Sequence, residues 1–249
     1  MNTIRSHPNP LLRNLHGRGD IDRSNPYYYF WRSLLHVAMP LFLKARVFNR
    51  HYEPATGGAV YICNHQSFVD PLLMAFALRR PMNFMARSSL FKTPGFRELI
   101  ESVNTFPVDR ESSGMGGLKE SMRRLSRGGQ VVVFAEGTRT RDGLIAPFLP
   151  GAALLSRRAA DWTVPVVIDG AFEAWPRTQL LPRLGHVVVQ YGPAIPQKTA
   201  REMGSADFLS MVRRQMIDIQ SDIRRRLGRA ALKYAQDDPS HNRPRRPGS

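Results

Sequence analysis

The chain has 249 residues, of which 42% are hydrophobic and 22% charged, so it can bury a core and is not disordered as a whole. Its net charge of +16 favours an anionic partner, such as a phosphorylated small molecule, an acidic protein, an anionic bilayer or a nucleic acid. A single cysteine excludes an intrachain disulfide and any zinc site that needs several cysteines.

The N-terminal part of the chain divides into two segments of different character. Residues 1–25 are polar and rich in Asn, Arg and Gly, so we expect a flexible basic arm without a secretory signal. Residues 26–50 combine an aromatic cluster at 27–31 with an apolar stretch that Pro40 and several charges interrupt. The uninterrupted apolar part is too short for a membrane span, which needs ~20 residues. This composition is typical of an amphipathic, interfacial helix with its rings among lipid headgroups. The alternative is a helix that packs on its own domain and is kinked at Pro40.

Residues 51–228 alternate short apolar runs with helical patterns, which is typical of an α/β domain. The predicted strands are 59–63, 83–86, 105–108, 130–135, 163–168 and 186–191. The predicted helices are 71–80, which Asp70 would cap, then 115–125, 151–160 and the strongly amphipathic 205–227. Residues 229–249 are polar, basic and proline-containing, so we expect a flexible tail.

A polar turn after the strand 59–63 carries the first candidate for catalysis. Active residues of open α/β sheets gather at such strand ends. His65 can accept a proton near neutral pH, and Asp70 lies across the turn, where its carboxylate could orient the imidazole. The alternative is that Asp70 only caps the following helix while His65 makes an ordinary turn hydrogen bond.

Three further strand segments draw attention, and the first two carry residues that are suited to binding. The residues at the first two strand ends are Arg110 after 105–108, and Glu136, Gly137, Thr138 and Arg139 after 130–135. An arginine at a strand end offers a planar, bidentate donor for phosphate, and Gly137 permits a close approach of the backbone. Surface ion pairs are the alternative role for these arginines. The third segment, 164–168, contains Pro165, which restricts that strand to a special position in the sheet.

Together these motifs resemble the glycerolipid acyltransferase family, which bacterial 1-acyl-glycerol-3-phosphate acyltransferase typifies. The matching segments are Asn-His-x-x-x-x-Asp at 64–70, Asp-Arg at 109–110, Phe-Ala-Glu-Gly-Thr-Arg at 134–139 and Val-Pro-Val at 164–166. The resemblance covers roughly residues 57–193, and its first and third motifs form a specific pair. It implies a mixed, largely parallel sheet flanked by helices, here preceded by the interfacial helical segment.

The resemblance also implies the reaction and the two catalytic residues. His65 would be the base that takes the proton from the acceptor hydroxyl, and Asp70 would orient the ring and stabilise its charge. The co-substrate would be an acyl thioester, either acyl-CoA or an acyl-carrier protein, with no other cofactor and no metal. The hydroxyl would attack the thioester directly, without a covalent acyl-enzyme, because a thioester is already activated.

The remaining motifs would bind the substrates. By resemblance, Arg110 and Arg139 would hold the acceptor phosphate, with Arg139 as the main ligand. The acceptor-binding turn would comprise Glu136, Gly137, Thr138 and Arg139, and Pro165 would lie on the acyl-donor side. The positive charge would suit an anionic membrane surface, and we expect a peripheral or monotopic protein at the cytoplasmic face of the cell membrane.

The sequence leaves three alternatives open. The chain lacks the lysine that commonly follows the residue equivalent to Phe148 in the family, so the acceptor could be another lipid, such as a lyso-ornithine lipid, instead of 1-acyl-glycerol-3-phosphate. A nucleophilic Cys63 next to His65 is a second alternative. The third is a basic module that binds membranes or nucleic acids without catalysis, although no nucleic-acid motif is recognisable.

Overall fold

The computed structural model describes residues 26–87, 105–108, 115–176, 178–179 and 183–234. The strands in this part of the chain are β1 (Arg46–Phe48), β2 (Ala59–Cys63), β3 (Met82–Arg87), β4 (Thr105–Val108), β5 (Gln130–Phe134), β6 (Trp162–Asp169), β7 (Val188–Tyr191) and β8 (Ile195–Pro196). They form one sheet in the order β1-β7-β6-β2-β5-β3-β4, with β8 beside β6. All pairs are parallel except β6 with β7 and β6 with β8. The predicted mixed, largely parallel sheet is confirmed.

Helices cover both faces of this sheet. They are α1 (Pro26–Leu43), α2 (Asp70–Ala77), α3 (Met115–Leu125), α4 (Pro150–Arg158), α5 (Ala171–Ala174), α6 (Gln197–Glu202) and α7 (Ser205–Arg226). Tyr61 and Cys63 of β2 point into the core under α1 and α2, whereas Val60 and Ile62 point into the core under α3, α4, α6 and α7. Successive side chains of a strand point to opposite faces of the sheet. Both faces of β2 are buried, and its sequence is therefore apolar at every position.

Parallel pairing gathers the ends of the three central strands. β2 runs parallel to β5 on one side and to β6 on the other. The residues that follow Cys63, Phe134 and Asp169 therefore lie along one border of the sheet, which we call the carboxyl edge. Ligand sites of open α/β sheets form at this border.

Pro165 occupies a break between two neighbouring strands. β6 pairs with β8 through residues 162–163 and with β7 through residues 166–169. The carbonyl of Pro165 accepts a hydrogen bond of 2.8 Å from the N–H of Gly192, in the connection between β7 and β8. The missing N–H of the proline thus faces this connection and interrupts no strand ladder, which explains how a proline fits inside a central strand.

Both ends of the predicted domain differ from the sequence-based boundaries. The helix in the segment 26–50 stops at Leu43, where Lys44 has a φ of 42°, and β1 then joins the sheet beside β7. At the other end, Arg229 forms an ion pair with buried Asp169, so residues 229–234 pack on the domain and are not part of a tail. The segments 1–25 and 235–249, predicted to be flexible, lie outside the described residues. No helix in the described part of the chain is both long and apolar enough to cross a membrane.

Candidate active site

The turn between β2 and α2 brings His65 and Asp70 together at the carboxyl edge. Nδ1 of His65 lies 2.7 Å from Oδ2 of Asp70. The same oxygen accepts the backbone N–H groups of Gln66 and Ser67, at 2.6 and 2.7 Å. Asp70 was predicted as the residue capping α2, but it is the first residue of the helix and Val69 precedes it. The carboxylate is directed back into the turn because its three hydrogen-bond donors lie there.

The surroundings of this pair fix the imidazole and leave one ring nitrogen for chemistry. Burial raises the pKa of Asp70, and the hydrogen bonds from His65, Ser67 and Gln66 oppose that rise by favouring the carboxylate. The His65 ring stacks on Phe134, with centroids 4.2 Å apart, and its side chain is 20% exposed. When Nδ1–H donates to Asp70, Nε2 is the nitrogen that can accept a proton. The arrangement has the geometry of a general base with its orienting partner.

Glu136 links the His65 turn to the loop that follows β5. Its Oε1 accepts the backbone N–H of His65 at 2.8 Å, and its Oε2 accepts that of Ala146 at 2.9 Å. The residue is 7% exposed, and burial raises its pKa to about 8. Both carboxyl oxygens are thus engaged in holding two loops together. The contact between Glu136 and an acceptor, which the resemblance implies, stays a prediction.

The rest of this motif places a guanidinium beside the His65 turn. The Arg139 guanidinium carbon lies 3.4 Å from the centre of the Phe68 ring, and Phe68 is half exposed in that turn. Gly137 has a φ of +71°, a left-handed backbone conformation that favours glycine, and a Cβ at this position would displace Cδ1 of Leu149, which lies 2.6 Å away. Thr138 is exposed at the surface of the motif. The predicted phosphate ligand Arg110 lies outside the described residues.

Two amide side chains that were not predicted as site residues brace the turn. Asn64 donates to the Ile168 carbonyl and accepts the Ile168 N–H, both at 2.8 Å, and so fastens β2 to β6. The Gln66 oxygen accepts the N–H of Phe172 at 3.1 Å. Both residues stand next to His65 in the motif, but their partners are more than 100 residues away in sequence, so no local signal identifies them.

A cysteine nucleophile does not fit this geometry. Cys63 is fully buried, with its sulfur 3.7 Å from that of Met74, and burial raises the pKa of the thiol well above its ordinary value. It packs as a small apolar residue of the core under α1 and α2. Across the residues that the structure describes, no group of three His, Cys, Asp or Glu side chains is placed to hold a metal ion.

Comparison with known proteins gives consistent matches. A family model described as Acyltransferase matches residues 44–169. A 1-acyl-sn-glycerol-3-phosphate acyltransferase of Bacillus subtilis (strain 168) is 29% identical over 144 residues, which are 57% of this chain and 71% of that protein. A protein of the same name from Cocos nucifera is 27% identical over 64% of this chain, and this match spans 53% of the length of the Cocos protein.

The fold also matches a solved structure. The crystal structure of the 1-acyl-sn-glycerophosphate (LPA) acyltransferase PlsC from Thermotoga maritima has a TM-score of 0.67, with 79% of each chain covered. The two sequences are 21% identical over this match. At this identity the likeness shows a shared fold.

Proposed function

Because the chain belongs to the acyltransferase family, we propose that it moves a fatty acyl group from a thioester to the hydroxyl of a lysophospholipid. The acceptor is 1-acyl-sn-glycerol-3-phosphate and the product is phosphatidate, in line with the names of the Bacillus and Cocos relatives. The observation that carries the proposal is the 2.7 Å contact between His65 and Asp70 at the carboxyl edge, with Arg139 beside the same turn.

The proposed reaction uses His65 first as a base and then as an acid. Nε2 takes the proton of the acceptor hydroxyl while the hydroxyl oxygen forms a bond to the thioester carbonyl carbon. The buried Asp70 carboxylate stabilises the resulting imidazolium. When the carbon–sulfur bond breaks, the imidazolium returns its proton to the departing sulfur. Because both substrates are bound together, positioning supplies much of the rate acceleration.

A product screen tests this proposal. The purified chain is mixed with an acyl-CoA, or separately with an acyl-carrier protein thioester, and with a panel of lyso-lipids that includes lysophosphatidate and lyso-ornithine lipid. Mass spectrometry should find phosphatidate as the main product. Acylation of lyso-ornithine lipid alone would replace the acceptor, and the absence of any acylated product would favour a binding module instead.

Replacing Arg139 with alanine should raise the KM for lysophosphatidate by ~10-fold or more, because a charged hydrogen bond to phosphate contributes ~1.5–3 kcal/mol. The KM for the thioester should change much less. Steady-state kinetics with each substrate varied in turn measure the split, and Arg141→Ala, an exposed arginine two residues further on, is the matched control. Equal increases in both KM values would count against phosphate binding at Arg139.

The outer face of α1 supports a membrane contact. Phe30, Leu34, Val37 and Leu41 follow one another at helical spacing and are 48–67% exposed. The other face of α1 packs on the domain, where Met39 and Leu43 are buried and Arg32 donates to the carbonyls of Leu78 and Arg79. We propose that the exposed stripe rests in the interface of an anionic bilayer at the cytoplasmic face, where the lysophospholipid resides.

The double substitution Val37→Glu and Leu41→Glu should weaken binding to anionic liposomes by ~10-fold or more. Two apolar side chains that would be buried in the bilayer interface are lost, and two negative charges are added. Liposome co-sedimentation measures the partition. The control is Leu184→Glu with Leu227→Glu, which places the same charges at exposed leucines outside α1. If both double variants bind liposomes like the unchanged chain, the stripe is not the membrane contact.

A further inference from the structure

A groove lies between α3, α4, α6 and the start of α7, on the face of the sheet opposite α1. Its volume is about 660 Å³, which is in the usual range of small-molecule sites, ~300–1,000 Å³. Leu118 and Leu154 give it an apolar wall, and Arg157, Arg158 and Arg201 line it with positive charge. The groove thus combines apolar surface with a cluster of guanidinium groups.

Among the described residues, no acidic side chain forms an ion pair with any of the three arginines that line the groove. Arg201 Nε donates to the Arg157 carbonyl at 3.0 Å, and Arg157 donates to the Ser205 hydroxyl at 2.7 Å. Nε of Arg157 is buried and has no hydrogen-bond partner in the described residues. Arg224 and Arg229 differ from these three arginines, because both pair with the buried Asp169. Like charges held together without an acid raise the local potential and favour an anionic ligand.

The groove leads from the arginines towards the carboxyl edge. One end is formed by Pro150 and Gly151, the first residues of α4, directly after the Leu149 side chain that fills the space beside Gly137. Because α4 connects β5 to the start of the parallel strand β6, it runs back across the sheet, and Arg158 lies about 12 Å further along it. A ligand whose anionic end contacts the arginines and whose other end follows α4 to Pro150 would therefore reach the carboxyl edge, where His65 lies.

The position of the groove favours a ligand that arrives from water. The apolar stripe of α1 belongs to the layer on the other face of the sheet, together with α2. The helices around the groove belong to the second layer. The arginines are thus separated from the proposed membrane contact by the thickness of the sheet, which disfavours a lipid headgroup as their partner.

We propose that this groove binds the phosphorylated nucleotide end of a coenzyme A thioester, whose pantetheine arm then extends along α4 towards His65. The inference rests on the proposed function and names its acyl donor. The planar guanidinium groups suit the diphosphate and the 3′-phosphate, and the apolar wall suits the adenine ring.

The test is a double variant, Arg158→Gln with Arg201→Gln, which keeps the bracing contact of Arg157 with Ser205. Calorimetric titration with free coenzyme A should show a Kd at least ~10-fold higher. The preference of the unchanged chain for coenzyme A over 3′-dephospho-coenzyme A should fall towards one in the variant. The KM for acyl-CoA should rise in parallel, while the KM for lysophosphatidate and kcat stay within about twofold. The single variant Arg158→Gln, at an exposed position, gives a smaller change in the same direction and secures the test if the double variant unfolds.

The control is Arg127→Gln, which removes the same charge from an exposed arginine after α3 and should leave coenzyme A binding unchanged. An unchanged Kd for coenzyme A in both groove variants overturns the proposal. A loss of binding to anionic vesicles, or of transfer from an acyl-carrier protein, without any change for coenzyme A, overturns it too. Coenzyme A binding needs no turnover, so arginine-dependent binding without acyl transfer would refute the proposed function and leave the groove assignment standing.

Discussion

Replacing His65 with alanine is expected to lower kcat by ~100-fold or more, which is the usual contribution of a general base. The variant has no nitrogen to take the proton from the attacking hydroxyl. It should still bind both substrates, because Arg139 and the groove arginines are unchanged. The rate is measured with saturating lysophosphatidate and acyl-CoA, and the loss should appear in kcat with little change in either KM.

The His65→Ala variant should remain folded. Asp70 keeps the backbone N–H groups of Gln66 and Ser67 as partners, and Asn64 still fastens the turn to β6. Circular dichroism checks the fold, and His186→Ala removes an exposed imidazole as the matched control. A folded His65→Ala chain that keeps more than about a third of the original kcat would mean that another group takes the proton, since the loss of a general base costs ~100-fold.

Replacing Asp70 with asparagine should lower kcat by ~10²–10⁴-fold, because a neutral amide cannot stabilise the imidazolium that forms during the reaction. The amide oxygen can still accept the N–H groups of Gln66 and Ser67. Its NH₂ then takes the place of Oδ1, which is buried without a hydrogen-bond partner in the described residues. A buried, unsatisfied donor costs ~1–3 kcal/mol, so the free energy of unfolding should fall by a similar amount.

Two measurements separate these effects of Asp70→Asn. Denaturant titration gives the loss of stability, and kcat at saturating substrates gives the loss of catalysis. Asp218→Asn, at an exposed position of α7, is the control and should change neither. If Asp70→Asn costs stability but leaves kcat within about threefold, the carboxylate only braces the turn and the alternative reading of the sequence is right.

Local sequence patterns predicted the elements that have a clear hydrophobic pattern of their own. The strands at 59–63 and 105–108 were predicted with the bounds that the structure shows, and the helical face predicted from Met115 to Leu125 lies on a helix. The short elements β1, β8, α5 and α6 were not predicted, because they carry no periodic pattern of their own. β1, for example, forms by pairing Arg46 with Val188, which lies far along the chain. Tertiary contacts of this kind override local propensity.

The proximity of three motif residues could be predicted from the sequence, but the contacts that connect them could not. The motifs named His65, Asp70 and Arg139, and the structure brings all three to one turn of the carboxyl edge. Sequence spacing could not show that Phe134 stacks on the imidazole or that Glu136 joins two loops. These contacts depend on the register between β2 and β5, which no short motif specifies.

Composition misled at the C-terminus. Residues 229–234 are polar and basic, which is typical of a solvated tail. Their charge instead meets a buried acid, because Arg229 pairs with Asp169 at the end of β6. The Tyr234 hydroxyl then accepts the N–H of Ile145, in the loop that also carries Ala146. Composition gives the charge of a segment but not the location of its partner.

The placement of β2 between β5 and β6 also governs how the chain reaches its native state. The contacts that complete the turn join His65 to Glu136, 71 residues away, and Asn64 to Ile168, 104 residues away. Closing such long loops costs conformational entropy before the strands can pair. Sheets with such non-local pairing therefore fold slowly, and their apolar strands are exposed and prone to aggregate in the partly folded chain. The turn around His65 is therefore completed late, when β5 and β6 have both paired with β2.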